Sequence, residues 1–320
     1  MKNDTGFLVG TVTHLMGGAS PFVRVTRRLT RRGKSRKTSL TPNHKTISDA
    51  FVDARLNARG LAAYPGDLPA TLTESYVIQD HSIARWPDRV GGWKIGLVPP
   101  EFRERAGAER LVGPIFEALI GPARAGRRHD MPVFAEGFAA VEAEFIFRLA
   151  ADVPVGAEIT DAYVNAVAGS LHVGAEIASS PFPGINDLGP TCVVSDFGNN
   201  FGLLVGPEIE DWSARDWSSL PARVSINGRE VGRATAADLP GGPIGALGFI
   251  LRLMQVRRIE LPAGSLISTG AVTGVHQAQV GDRALVDFGS FGRIDLSLTR
   301  LKPGWLDADR AAGASHASGG

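Results

Sequence analysis

The sequence predicts a single mixed α+β fold that is rich in β-structure. Glycine accounts for 39 of the 320 residues, above the usual share of about 7%, which indicates many turns and close backbone approaches. Strand-like and helical segments alternate too irregularly for a doubly wound sheet or a (β/α)₈ barrel. Apolar residues make up 43% of the chain and charged residues 21%, as in globular proteins long enough to bury a large core.

The helices are predicted from capping residues and apolar spacing. Thr71 and Glu74 have the spacing of a capping box, which starts a helix that continues to about Ile83. Pro99 and Pro100 open a short helix, and Thr160 or Asp161 is suited to cap a later one. We therefore expect helices at 47–61, 71–83, 100–105, 159–168 and 244–256.

The strands are predicted from short apolar runs between glycine-rich turns. Asn227-Gly228 interrupts an apolar run, and because both residues tolerate positive φ angles, they predict a β-hairpin over 224–231. The remaining strands are expected at 92–97, 113–120, 141–149, 171–178, 265–270, 283–288 and 292–298.

Charge divides the chain unevenly. Residues 1–48 carry ten lysines and arginines and one acid, for a net charge of +9, whereas the remainder carries −8. The basic cluster has no clear helical or strand period, and an acidic body would repel nucleic-acid phosphates. We expect 1–45 to be a disordered basic extension, in preference to a nucleic-acid or membrane arm. The folded domain is expected at 46–305 and a flexible tail at 306–320.

Composition also excludes several classes of protein. No apolar run reaches 18 residues, so a membrane-spanning helix is not expected. The single cysteine, Cys192, excludes a disulfide framework and is interpreted as a buried structural thiol in a reducing, cytoplasmic compartment. The seven histidines are scattered without metal-ligand spacing, so a zinc site built from histidine is not expected.

Three glutamates stand out because apolar residues surround them. In a strand, Glu142 and Glu144 lie two residues apart and share one face. A divalent cation such as Mg²⁺ or Mn²⁺ would remove the repulsion between two such carboxylates; the alternative is a solvated strand face. Glu176, in a second apolar run, either completes the metal site or points outward.

Two further features suit ligand binding, although each has a plain structural alternative. Lys94 lies among apolar residues and glycines, where it either binds a carboxylate or moves a proton, or is simply an edge-strand lysine. Ser268-Thr269-Gly270 ends a predicted strand and offers hydroxyl and amide donors to an anion, or else forms a turn.

Together these segments resemble the 2-keto-4-pentenoate hydratase / 4-oxalocrotonate decarboxylase family of the fumarylacetoacetate hydrolase superfamily. The resemblance rests on the order and spacing of five short motifs between about residues 47 and 303. The motifs are Gly92-Trp93-Lys94-Ile95-Gly96-Leu97, Val141-Glu142-Ala143-Glu144-Phe145, Ala175-Glu176-Ile177, Ser195-Asp196-Phe197-Gly198-Asn199-Asn200 and Ser268-Thr269-Gly270.

The resemblance implies a hydratase-like domain with a fumarylacetoacetate-hydrolase-like mixed β fold and flanking helices. It implies metal ligands at Glu142, Glu144 and Glu176, a catalytic and substrate-binding lysine at Lys94, and a bound Mg²⁺ or Mn²⁺. The implied activity is that of a lyase on small 2-keto or 2-hydroxydienoic acids in aromatic catabolism, hydratase first and decarboxylase second. The implied partners are a second copy of the chain and another enzyme of the same pathway, with no nucleic acid or membrane.

One departure from the family pattern keeps other functions open. Many members carry an acidic residue before the glycine that follows the lysine strand, whereas this chain has Arg110-Leu111-Val112-Gly113. Leu111 cannot transfer protons, while Arg110 offers a positive charge to the substrate. The alternatives are an acylpyruvate-type C–C hydrolase and a non-catalytic subunit that binds keto acids or assists an enzyme.

Overall fold

Two β-sheets and six α-helices form the described part of the chain, residues 39–306 of a computed structural model. The predicted mixed α+β class is therefore confirmed. The helices are α1 (Pro42–Leu56), α2 (Leu72–Arg85), α3 (Pro100–Ala106), α4 (Asp161–Val167), α5 (Pro190–Ser195) and α6 (Gly242–Arg257). The strands are β1 (Val90–Leu97), β2 (Arg110–Phe116), β3 (Ile120–Pro122), β4 (Arg128–Val133), β5 (Phe138–Leu149), β6 (Ala168–Ser180), β7 (Asn200–Glu208), β8 (Pro221–Ile226), β9 (Arg229–Thr235), β10 (Leu266–Ser268), β11 (His276–Gln277), β12 (Arg283–Asp287) and β13 (Arg293–Arg300).

The larger sheet has eight strands in the order β2-β1-β10-β5-β6-β7-β3, with β11 added to β5. The strands β5 and β6 form a long antiparallel pair at its centre. Every residue of β5 except Arg148 is buried, because the strand is covered on both faces. A buried central strand explains why its sequence is apolar almost throughout, and why a glutamate within it requires a partner.

The smaller sheet has five strands in the order β4-β13-β12-β8-β9. The predicted hairpin is confirmed as β8 and β9. Its turn places Asn227 at φ 51° and Gly228 at φ 81°, which are the positive angles that a type I′ turn requires. Side chains from both sheets, including Phe145 of β5 and Phe288 after β12, share one hydrophobic core.

Local capping signals determine where the first two helices begin. α2 begins as predicted, with the Thr71 side chain accepting a hydrogen bond from the backbone N–H of Glu74. The prediction of a helix at 47–61 was wrong in its bounds, because α1 begins at Pro42 and ends at Leu56. Thr41 caps α1, and Pro42 occupies the first helical position, where a missing N–H costs nothing.

Some elements were not predicted, and one strand was displaced. The strands β3, β4, β7 and β11 and the helix α5 were missed. The strand predicted at 113–120 begins earlier, at Arg110, and ends where Glu117 starts a 3₁₀ turn. The missed strand β7 contains two glycines and a proline, which local patterns treat as breakers.

Two of the predicted regions lie mainly outside the residues that the structure describes. Residues 1–38 of the basic extension and 307–320 of the tail lie outside the described residues. The boundaries 1–45, 46–305 and 306–320 therefore stay predictions. Among the described residues, no helix combines the length and the apolar character needed to cross a membrane.

Candidate metal centre

Three glutamates meet on one face of the β5–β6 pair. Glu142 and Glu144 are two residues apart in β5 and therefore share a face. Glu176 in β6 is directly opposite Glu142 in the antiparallel register. One carboxylate oxygen from each residue lies within 4.8 Å of the others. The exposed fractions of the three residues are 3%, 0% and 0% in sequence order, so the cluster is withdrawn from solvent.

Lys94 reaches this cluster from β1. Its backbone pairs with Ser268 of β10 on one side and with Gly113 of β2 on the other. The Nζ atom lies 2.9 Å from Oε1 of Glu176 and 3.9 Å from Oε2 of Glu142. Lys94 is 5% exposed, so a single buried ammonium faces three buried carboxylates.

Burial and mutual repulsion shift the protonation of this group of residues. Burial raises the pKa of Glu142 to about 7, since the attraction of Lys94 offsets burial only in part. Burial, together with repulsion from Glu176 and Glu142, raises the pKa of Glu144 well above its usual range. Burial lowers the pKa of Lys94, but Glu142 and Glu176 outweigh it and raise that pKa overall. One lysine is therefore too little positive charge for three ionised carboxylates.

The donor set fits a hard divalent cation. Within the described residues, Oε1 of Glu144 and Oε2 of Glu176 are buried without a hydrogen-bond partner. A buried carboxylate oxygen without a donor is costly unless something else compensates its charge. Carboxylate, carbonyl and water oxygens are the ligands that Mg²⁺ and Mn²⁺ prefer.

The segment Ser268-Thr269-Gly270 lies beside the cluster, and its three residues differ in what they offer. The backbone N–H of Gly270 donates a 2.6 Å hydrogen bond to Oε2 of Glu144, so it orients a carboxylate. The Thr269 hydroxyl donates to the backbone carbonyl of Phe145 at 2.8 Å and is already used. The buried Ser268 hydroxyl has no partner within the described residues, but Ser268 is not among the residues that line the cavity beside Lys94.

A cavity of about 350 Å³ opens beside Lys94 and Glu142. Arg110, predicted to bind substrate, is not among its lining residues. The guanidinium of Arg110 donates to the backbone carbonyl of Pro240 and lies over the ring of Phe249. Its neighbour Leu111 is buried and lines the cavity instead.

Two asparagines that line the cavity, Asn186 and Asn199, were given no role in the sequence analysis. Asn199 is 3% exposed, and its Oδ1 has no hydrogen-bond partner within the described residues. The signal that points to Asn199 is the Phe197-Gly198-Asn199 segment quoted for the resemblance. Asn186 lies in a loop where no local pattern distinguishes it.

That segment adopts an unusual backbone conformation. Phe197, Gly198 and Asn199 have φ angles of 54°, 67° and 65°, a left-handed conformation that is unfavourable for a phenylalanine. Buried Arg55 holds the segment from α1 through Asp196, with Nε 2.5 Å from Oδ1. The conformation brings Gly198 and Asn199 to the cavity wall.

Comparisons with known proteins agree with this picture. No family model matches the chain. A 111-residue segment, 33% of the chain, is 32% identical to a 4-oxalocrotonate decarboxylase from a Pseudomonas species and spans 41% of that relative's length. The 4-oxalocrotonate decarboxylase of Pseudomonas putida G7, complexed with magnesium and adipate, superposes with a TM-score of 0.69 at 20% identity, covering 82% of this chain and 100% of that one. Fumarylpyruvate hydrolase from Pseudomonas aeruginosa, in complex with Mn²⁺ and pyruvate, gives a TM-score of 0.50 at 13% identity, covering 67% and 91%.

These matches confirm the predicted resemblance. The chain has the fold of the Pseudomonas putida decarboxylase, and the predicted fumarylacetoacetate-hydrolase-like mixed β fold is confirmed with it. The proteins that it resembles are enzymes, a decarboxylase and a hydrolase. The solved structures named above carry Mg²⁺ or Mn²⁺, which agrees with the expectation of a divalent cation.

Proposed function

We propose that the chain is a divalent-metal-dependent lyase acting on small 2-keto or 2-hydroxydienoic acids. The observation that carries the proposal is the buried cluster of Glu142, Glu144 and Glu176, which contacts Lys94. Glu142 and Lys94 also line the cavity. Hydration of a dienoate is the first candidate reaction. Decarboxylation of an oxalocrotonate-type acid is the second candidate, and the 111-residue match to a 4-oxalocrotonate decarboxylase supports it.

The roles of the residues follow from their chemistry. Glu142, Glu144 and Glu176 would hold Mg²⁺ or Mn²⁺, and Gly270 would keep Glu144 oriented. A bound ion of this kind supplies Lewis-acid polarisation of a keto or enol oxygen. Lys94 would bind the substrate carboxylate through its ammonium group, or move a proton between substrate and water. Ser268 stays a predicted hydrogen-bond donor to the same ligand, although it does not line the cavity.

The hydrolase alternative is weaker because it requires a base that activates water for C–C cleavage. Among the described residues that line the cavity there is no histidine. His81 contacts the Ser48 hydroxyl at 2.9 Å, and His172 contacts the Ser170 hydroxyl at 2.8 Å. Both rings are therefore engaged elsewhere.

A non-catalytic role is the second candidate function. The observation that favours it is Leu111, which lies on the cavity wall where an acid/base group would be useful for proton transfer. A protein with intact metal ligands and no second proton-transfer group would bind keto acids without converting them. The predicted homo-oligomer, partner enzyme and role in aromatic catabolism stay proposals based on the resemblance, and the predicted cytoplasmic location stays a proposal based on the single cysteine.

The test is thermal unfolding of the full chain, stripped with chelator and then supplied with Mg²⁺ or Mn²⁺. An ion present at 100 times its Kd should add about 2.7 kcal/mol to the free energy of unfolding, which corresponds to a rise in Tm of about 5 °C. Glu144→Gln should abolish the rise, whereas Glu158→Gln, at an exposed position, should leave it intact. No rise with either ion would refute the metal site.

Turnover then separates the candidate reactions. A hydratase converts a 2-hydroxydienoate to a single 4-hydroxy-2-keto acid, and a decarboxylase releases CO₂ from an oxalocrotonate-type acid. A hydrolase gives pyruvate and a second acid from an acylpyruvate. Stabilisation by keto acids in the presence of metal, with no product from any of these substrates, would identify the non-catalytic binder.

A further inference from the structure

We propose that the cavity selects 2-keto acids that carry one carboxylate and an apolar tail, and discriminates against 2-keto dicarboxylates. The inference rests on the proposed function and specifies its substrate class. It concerns the part of the cavity beyond the carboxylate cluster, where the tail of a bound acid would lie.

All the charge on the cavity wall is gathered at one place. Among the described residues that line the cavity, the charged side chains are Lys94 and Glu142, and their charged atoms are 3.9 Å apart. A carboxylate that binds beside Lys94 therefore uses the available positive charge. A second carboxylate, several bonds away on the same molecule, would find no cation among these residues.

The rest of the wall is apolar or neutral. It combines aliphatic and proline side chains with a few glycines, an alanine and two asparagines. The large apolar members are Leu97, Pro99, Leu111, Pro190, Val193 and Val275. Leu97, Pro99 and Val275 are exposed, whereas Leu111 and Pro190 are buried. An ionised carboxylate placed against the buried members loses its hydration without gaining a partner, and the cost is several kcal/mol.

The two asparagines do not change this conclusion. Asn186 and Asn199 are neutral, so they can hydrogen-bond a hydroxyl or carbonyl group but cannot neutralise a charge. The buried and unpartnered Oδ1 of Asn199 suits a hydroxyl group, such as one produced when water adds to a dienoate.

Two arginines between the cavity residues Pro99 and Leu111 in the sequence contact other partners. Arg110 precedes Leu111, and its guanidinium donates to the carbonyl of Pro240. Arg103 of α3 donates from Nε to the carbonyl of Val98 at 3.0 Å. Neither residue lines the cavity, so neither supplies a second anion site.

The size of the cavity agrees with a small acid. At about 350 Å³ it is at the lower end of the range for ligand pockets. Leu111 is the residue on which selection would depend, because it is 4% exposed and presents a branched apolar side chain where a charged one would change the choice of ligand. It is inferred as a specificity-determining residue with no part in the chemistry.

The test compares two acids of matched shape on the metal-loaded full chain by titration calorimetry. In 5-methyl-2-oxohexanoate an isopropyl group replaces the distal carboxylate of 2-oxoglutarate. We expect the apolar acid to bind about 100-fold more tightly, since burying the unpaired carboxylate costs the dicarboxylate at least two decades of affinity. Leu111→Lys should narrow this ratio to less than tenfold, and the wild-type ratio stands as a result even if that variant does not fold.

The possible outcomes test the inference separately from the proposed function on which it rests. Equal or tighter binding of 2-oxoglutarate, or CO₂ release from a 2-keto dicarboxylate with a kcat/KM matching that for the monocarboxylic substrate, would overturn the inference and leave the metal-dependent function standing. Binding of neither acid to the metal-loaded protein would overturn both.

Discussion

The buried ion pair between Arg55 and Asp196 should be essential to the stability of the fold beside the cavity. Arg55 is 1% exposed and Asp196 0%. The Nη2 atom of Arg55 lies 2.9 Å from Oδ2 of Asp196, and its Nε donates to Oδ1 of the same carboxylate. The pair is therefore bidentate. A further N–H of Arg55 donates to the carbonyl of Asn200 at 2.9 Å. The perturbation is Arg55→Leu, which retains apolar volume and removes every one of these donors.

The expected loss follows from the charge that is left behind. Removing one partner of a buried pair costs about 3–5 kcal/mol, because the other charge stays buried without compensation. For a domain of this size, about 2 °C of Tm corresponds to each kcal/mol, so the Tm should fall by about 6–10 °C. The matched control is Arg59→Leu. Arg59 pairs with Asp53 at a surface position where the two side chains are 62% and 52% exposed, and such pairs contribute about 0–1 kcal/mol.

The assay is thermal unfolding of the single variants Arg55→Leu and Asp196→Asn and of the double variant, with the metal held at one concentration. The double variant should lose less than the sum of the two single losses, because the second change removes the charge that the first left unpaired. Two results would refute the reasoning. One is an Arg55→Leu loss no larger than that of Arg59→Leu, and the other is strict additivity of the single losses.

Three further predictions concern other parts of the fold. Gly113→Ala should cost about 1–3 kcal/mol of stability in thermal unfolding, because a Cβ there would overlap the carbonyl of Phe197. Gly121→Ala is the control and should cost far less, because its Cβ would lie 3.6 Å from its nearest neighbour. Burial raises the pKa of the Cys192 thiol, so a disulfide reagent at pH 8 should modify the folded protein at least about 100-fold more slowly than the unfolded one. Burial lowers the pKa of His276, so this residue contributes stability that is present above pH ~6.5 and lost as the pH falls; His276→Gln should flatten that decline in Tm, and an unchanged decline would contradict it.

The pairing of two carboxylates in the cluster could be predicted from the sequence, because it depends on local strand geometry. Glu142 and Glu144 share a face in any strand, whatever sheet that strand joins. Their apolar flanks indicate that the strand is buried, and a buried carboxylate needs a partner. The position of Glu176 opposite Glu142 is different, since strand register is determined by the whole sheet. Its apolar surroundings identified it as a candidate, and the resemblance supplied the grouping.

Most of the cavity wall could not be predicted from the sequence, because it depends on tertiary contacts. Arg110 and Leu111 are adjacent in β2, and successive strand residues point to opposite faces, so only one of them can face the cavity. The sequence does not state which. The left-handed turn at Phe197 contradicts the ordinary preference of a phenylalanine. It is held by Arg55, which is more than a hundred residues away in the chain, and no local pattern encodes such a contact.

The proposed metal site and the proposed determinants of substrate choice therefore lie in different parts of the molecule. The carboxylates are fixed by paired central strands, where a glutamate cannot move without disturbing the register of β5 and β6. The apolar wall comes from the end of β1 and Pro99 after it, from β2, from the stretch 186–199 and from the turn at 271–275. Leu111 lies on β2, the terminal strand of the larger sheet, away from the central pair of β5 and β6. The substitution Leu111→Lys should therefore alter which acid is bound while the metal affinity stays the same. A variant of the wall that lost the metal as well would show that the two functions are coupled through the shared Lys94–Glu142 contact.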